Sequence, residues 1–100
     1  MAPSEGTPFR VECSAAVAAS IRRLYRQAAG LGFDDDFVAA LARIQQQLQA
    51  DPTGFGEALY TLKHLDITVY VAAAPPLAVS YGVNVVTRVV YLRELRLMEQ

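Results

Sequence analysis

The sequence predicts an α+β domain of the order β-α-α-β-β-β, in which a helical hairpin packs on a small, mainly antiparallel sheet. Three observations carry this. Two helix-length amphipathic segments fill much of the first half. The stretch Asp51 to Tyr60, read DPTGFGEALY, then brings Pro and Gly together at the point where the period changes from helix to strand. Beyond it, Leu77 to Val83 alternates large residues with small ones.

The elements follow in order. Met1 to Pro8 holds two prolines and a glycine and reads as a loose tail, leaving residues 9–95 as the domain and 96–100 as a second short tail. Phe9 to Cys13 alternates apolar and charged residues, a first strand. Ser14 stands where a side-chain oxygen would cap a helix running to Ala29. Val17, Ile21, Leu24, Tyr25 and Ala28 make its apolar stripe, and Gly30 and Gly32 stop it. Asp34, Asp35 and Asp36 open a second helix at the positive end of its dipole. Phe37, Leu41, Ile44 and Leu48 line one side of it, and Pro52 closes it after Ala50, because the residue before a proline avoids the α region. A short glycine-containing link makes the two helices an antiparallel hairpin.

Four segments after the hairpin have strand character. They are Leu59 to His64, Ile67 to Val71, Leu77 to Val83 and Arg88 to Leu95, with breaks at Pro75-Pro76 and Asn84. The last is apolar on both faces at Val89-Val90-Tyr91-Leu92, which places it inside the sheet.

Composition narrows function more by exclusion than by assignment. The chain has 100 residues, one domain's worth. Its net charge is −1, whereas dedicated nucleic-acid binders are usually strongly basic. Cys13 is the single cysteine, so neither an intrachain disulfide nor a cysteine-based zinc site can form. No apolar run approaches the roughly 18 residues that span a bilayer, and the first residues lack the pattern of a signal peptide. A cytoplasmic location and no membrane partner are therefore expected. Hydrophobic residues make up 53% of the chain, an excess that a partner or a homodimer could cover.

The layout resembles the RelE/ParE superfamily of toxins from type II toxin–antitoxin systems. Its members commonly end the second helix with a Leu, then Pro and Gly; here these are Leu48, Pro52, Gly54 and Gly56. A later strand carries an apolar residue, a Tyr and another apolar residue, here Val79, Tyr81 and Val83, before the turn at Asn84 and the Val-rich strand. The resemblance implies a toxin-like protein with no cofactor, neutralised by a cognate antitoxin. It leaves two target classes, the ribosome with its mRNA or DNA gyrase. A binding module that keeps the fold without toxicity is the third reading.

Ribonuclease members gather Lys and Arg residues on one concave face, because a scissile phosphate needs cations and the 2′-OH proton needs an acceptor. Here Leu77 and Ala78 stand where an Arg often precedes the strand tyrosine, and the late second helix, often basic in such members, carries Gln45, Gln46 and Gln47. Were the chain a ribonuclease, Lys63, His64, Arg88, Arg93 and Arg96 would be its catalytic set. His64 is the single histidine and the residue type suited to general acid–base work. Each has a plainer role: a histidine at a sheet edge, arginines on solvated strands. As strand neighbours, Lys63 and His64 are expected on opposite faces, and Arg88 and Arg93 likewise differ in parity. Arg22, Arg23 and Arg26 form a basic ridge on the first helix, commonly a solvated face. Three consecutive aspartates at a helix start more often serve the dipole than a metal. Tyr60, Tyr70, Tyr81 and Tyr91 could stack on bases, but aromatics on a small sheet usually pack its core or rim. Weak or absent RNA cleavage is the expectation.

Overall fold

The computed structural model describes residues 8–98. The elements are β1 (Arg10–Cys13), α1 (Ala15–Gly30), α2 (Asp34–Ala50), α3 (Pro52–Phe55), β2 (Glu57–Leu62), β3 (Ile67–Ala74), β4 (Leu77–Asn84) and β5 (Val89–Leu97). The five strands form one sheet in the order β1-β5-β4-β3-β2. The last four make an antiparallel meander, and β1 joins its far side parallel to β5. The fold is the expected α+β one, with all four post-hairpin segments as strands. β5 is flanked on both sides, as its apolar Val89-Val90 implies. The expected N-terminal tail lies outside the described residues except for Pro8. Of the expected C-terminal tail, Arg96 and Leu97 belong to β5.

Local chemistry explains most of the element ends. The Ser14 hydroxyl accepts from the Val17 N–H at 3.2 Å, the cap that starts α1. At its other end Gly32 takes φ 85, a left-handed conformation that glycine adopts without a Cβ penalty. The Gly32 N–H then donates to the Ala29 carbonyl at 3.1 Å and the Phe33 N–H to the Ala28 carbonyl at 3.0 Å, a Schellman closure. Pro52 ends α2 and also begins α3. The Asp51 carboxylate accepts from the Gly54 N–H at 3.2 Å, with proline at the first helical position. The Asn84 side-chain oxygen accepts from the Val86 and Thr87 N–H groups and so holds the β4–β5 turn.

The core lies between the hairpin and one face of the sheet. Val17, Leu24 and Ala28 of α1 and Phe37, Ala40, Ile44 and Leu48 of α2 meet Val79, Tyr81, Val83, Val90 and Leu95. Tyr25 and Phe37 join the two helices edge to face, with ring centroids 5.8 Å apart. Leu41 packs against this core while staying half-buried. Among the described residues no helix is long and apolar enough to cross a membrane.

One strand end departs from expectation. Lys63, His64 and Leu65 are not a strand continuation but a short 3-10 turn, closed by Asp66 at φ 55. Aspartate is among the few side chains that tolerate this left-handed position. The strand therefore stops at Leu62, and the parity expected of Lys63 and His64 does not apply.

Candidate functional site

The helices cover one face of the sheet and leave the other open. Tyr70, Ala72, Val79, Tyr81 and Val83 point to the core. By strand alternation Val69, Val71, Ala78, Ser80 and Gly82 point the other way. Two β-bulges shape this open face. On β2 the register shifts between Ala58 and Tyr60, so Leu59 is an extra residue. On β5, Leu92 opposes Tyr81 and Glu94 opposes Ser80, so Arg93 is the extra residue. The second bulge explains why Leu92 and Leu95 both reach the core although they are three positions apart.

Bulges re-aim side chains, and these two turn Tyr60 and Arg93 toward each other. The Arg93 guanidinium donates to the Tyr60 hydroxyl at 2.8 Å. The pair spans the open face from β5 to β2. Beneath that span lies Val69, only 1% exposed on a face no helix covers. Its neighbour across the ladder is Gly82, where a Cβ would come within 2.8 Å of the Ile67 methyl. Tyr60, Arg93, Glu94, Ser80 and Ser20 line an open depression of about 540 Å³, whose far wall is the start of α1. β1 ends opposite Leu92, so the first turn of α1 takes the edge position beside Arg93.

The sequence-derived site residues divide into separate places. Lys63 and His64 are exposed on the 3-10 turn. That turn sits at the sheet end where the Asn84 amide meets the Leu65 carbonyl at 3.4 Å. Arg88 is at the same end, at φ 56 just before β5. Its guanidinium carbon lies 4.1 Å from the Phe9 ring centroid, and its carbonyl accepts the Arg10 N–H at 2.9 Å. It thereby ties β1 to β5. Arg93 stands mid-strand in the depression. Arg96 faces the open side opposite Ala78, toward the other end. From Arg88 to Arg96 the strand covers about 25 Å, too far for one phosphate to bridge. Only Arg93 and Arg96 share the open face.

Tyr60 enters the site as Arg93's partner. The sequence showed it as one of a set of strand tyrosines, but its pairing with Arg93 depends on the two bulges.

Tyr81 has another role. It is fully buried and donates to the Pro52 carbonyl at 2.6 Å. It stacks on Tyr70 at 5.5 Å between centroids and on Phe55 at 6.2 Å. Burial, above all, pushes its phenol from the ordinary 10.0 up to about 12. A Cβ on Gly56 would come within 2.8 Å of the Tyr81 hydroxyl. The Pro-Gly stretch and the strand tyrosine, two separate motifs in sequence, thus meet in one buried contact. Tyr81 is a structural post and no reactive phenol at neutral pH. Among the described residues no group of three or more His, Cys, Asp or Glu residues could hold a metal ion.

No family model matches the chain, and no curated protein matches it in sequence. Among solved structures, it is similar to a chain in the crystal structure of the archaeal RelE–RelB complex from Pyrococcus horikoshii OT3. The TM-score is 0.67, over 92% of this chain and 97% of that one, at 18% sequence identity. The likeness is one of fold: this chain has a RelE-like fold.

Proposed function

We propose that this chain is the toxin-type component of a toxin–antitoxin pair, acting in the cytoplasm by binding a protein target and neutralised by a cognate antitoxin. The fold supports the first half of this reading, since the similar solved structure is of a complex between RelE and RelB. The observation that carries the second half is the distribution of cations. Lys63, His64 and Arg88 stand at one end of the sheet, away from the depression that holds Arg93. RNA cleavage by 2′-OH attack needs a proton acceptor and a cation at the same phosphate. His64 is not among the residues lining the depression. A net charge of −1 adds little long-range attraction for RNA.

One arrangement favours the ribonuclease reading instead. Arg93, Tyr60 and Arg96 share the open face, where a guanidinium could hold a phosphate beside a phenol. The test is translation-coupled mRNA cleavage by the purified protein, alongside His64→Ala and Arg93→Ala. The expected result is little or no cleavage, with growth inhibition relieved by the neighbouring gene. Robust cleavage lost in either variant makes the ribonuclease reading the right one. Inhibition without cleavage points to a protein target such as DNA gyrase. Neither inhibition nor complex formation leaves a non-catalytic binding module.

A further inference from the structure

The outer side of the α1–α2 hairpin carries a second depression, of about 510 Å³, floored by Ile21, Tyr25, Phe37, Val38 and Leu41. Val38 is 53% exposed and Tyr25 40%, large apolar surface on an otherwise polar face. The two sides differ in charge. Arg22 and Arg26 of α1 line one rim; on the α2 rim, by helical spacing, Asp34 and Asp35 stand one turn before Val38 on the same side of the helix. None of these four makes an ion pair among the described residues.

We propose that a second copy of this chain covers this groove, about a two-fold axis running along it. Such an axis lays α1 of one copy over α2 of the other without shifting either along its length. The Tyr25–Phe37 contact sets Tyr25 level with Phe37, so Arg26 of each copy comes opposite Asp35 of the other. The apolar floors meet between them. An acidic partner helix would satisfy the arginine rim and be repelled by the aspartate rim, and a basic helix would do the reverse. A second copy pairs Arg26 with Asp35 at two symmetric contacts, as an isologous interface requires. The face offered by two helices of this length is about 24 × 20 Å per chain. The total is about 960 Å², below the range of stable interfaces and within that of weak, transient ones, so the dimer dissociates on dilution.

The test uses this chain alone and stands apart from any antitoxin or target. Sedimentation equilibrium over a wide concentration range is expected to show the mass rising toward twice the 10.9 kDa of one chain. Arg26→Glu and Asp35→Arg each place like charges at two symmetric contacts, and each should raise the dissociation constant about tenfold. Combined in one chain, the two restore the opposite pairing and return the constant near its parent value. Val38→Lys should leave a monomer whose circular dichroism and melting temperature match the parent's, because its side chain is exposed. A monomeric mass at every concentration overturns the proposal. So does a dimer indifferent to the single swaps and to Val38→Lys, or a double swap no better than the singles.

Discussion

Tyr81 meets three parts of the chain at once: the Pro52 carbonyl, the Phe55 ring and the Tyr70 ring. Its hydroxyl is enclosed, so ionising it inside the fold is costly. Its ordinary value of 10.0 rises to about 12 on folding. A group raised in this way contributes stability that is fully present below about pH 10 and is lost as pH climbs through about 12. The loss is on the order of 2–3 kcal/mol. Tyr81→Phe keeps the rings stacked but leaves the Pro52 carbonyl unsatisfied. It should cost about 1–3 kcal/mol at neutral pH. Urea unfolding of both proteins between about pH 9 and 12 checks this: the parent should lose stability more steeply than the variant. Parallel curves would mean that the phenol is not the group being titrated. At this scale the sequence showed only what is local. The Ser14 cap was readable because donor and acceptor lie three residues apart. The Tyr81–Pro52 bond joins residues 29 apart, and nothing in either segment announces the other.

The helices were legible because a 3.6-residue period leaves a stripe, and the stripe tracks burial. Phe37, Ile44 and Leu48 are each 1% exposed, whereas Leu41 at the edge of the stripe is half-buried. Ile44→Ala should therefore cost about 2–5 kcal/mol, and Leu41→Ala clearly less, because part of its side chain already meets water. Denaturation midpoints of the two variants give the comparison. Equal losses, or a larger one for Leu41, would mean that the hairpin sits on the sheet in another rotation. The strands were legible in number and approximate extent but not in detail. A bulge adds one residue without changing composition. Its one trace was the spacing of Leu92 and Leu95, which cannot share a face in a regular strand. The turn at Lys63-His64-Leu65 escaped because Asp66, its left-handed residue, reads as ordinary in a chain without glycine there. The short α3 had a readable start in Asp51-Pro52, an N-cap followed by proline at the first helical position.

At the scale of the molecule, the parallel strand β1 brings the N-terminal segment back against β5 and sets the start of α1 beside the Tyr60–Arg93 depression. Alternation says which residues share a face but not which strands are neighbours, so this closure and the site it frames were hidden in the sequence. The apolar excess was visible, and the structure shows where part of it goes. Leu59, Leu65, Val85 and Val86 remain exposed, on the outer strand β2 and on the turns at one sheet end. The two edges differ. β1 carries an Arg10–Glu12 ion pair at 3.0 Å, charges that discourage pairing with another chain. β2 carries Ala58, Leu59 and Tyr60 in succession, with Glu57 its single charge. An antitoxin seated on β2 and the adjoining turns would recognise only the folded chain. At a hundredfold excess over its dissociation constant it would add about 2.7 kcal/mol, raising the melting temperature by roughly 10–20 °C for a chain of this size. Leu59→Lys, exposed in the free protein, should leave the free melting temperature nearly unchanged and remove most of that shift. Thermal unfolding with and without the product of the neighbouring gene measures both. A full shift in the variant would place the partner elsewhere, and no shift in the parent would remove the antitoxin from the account.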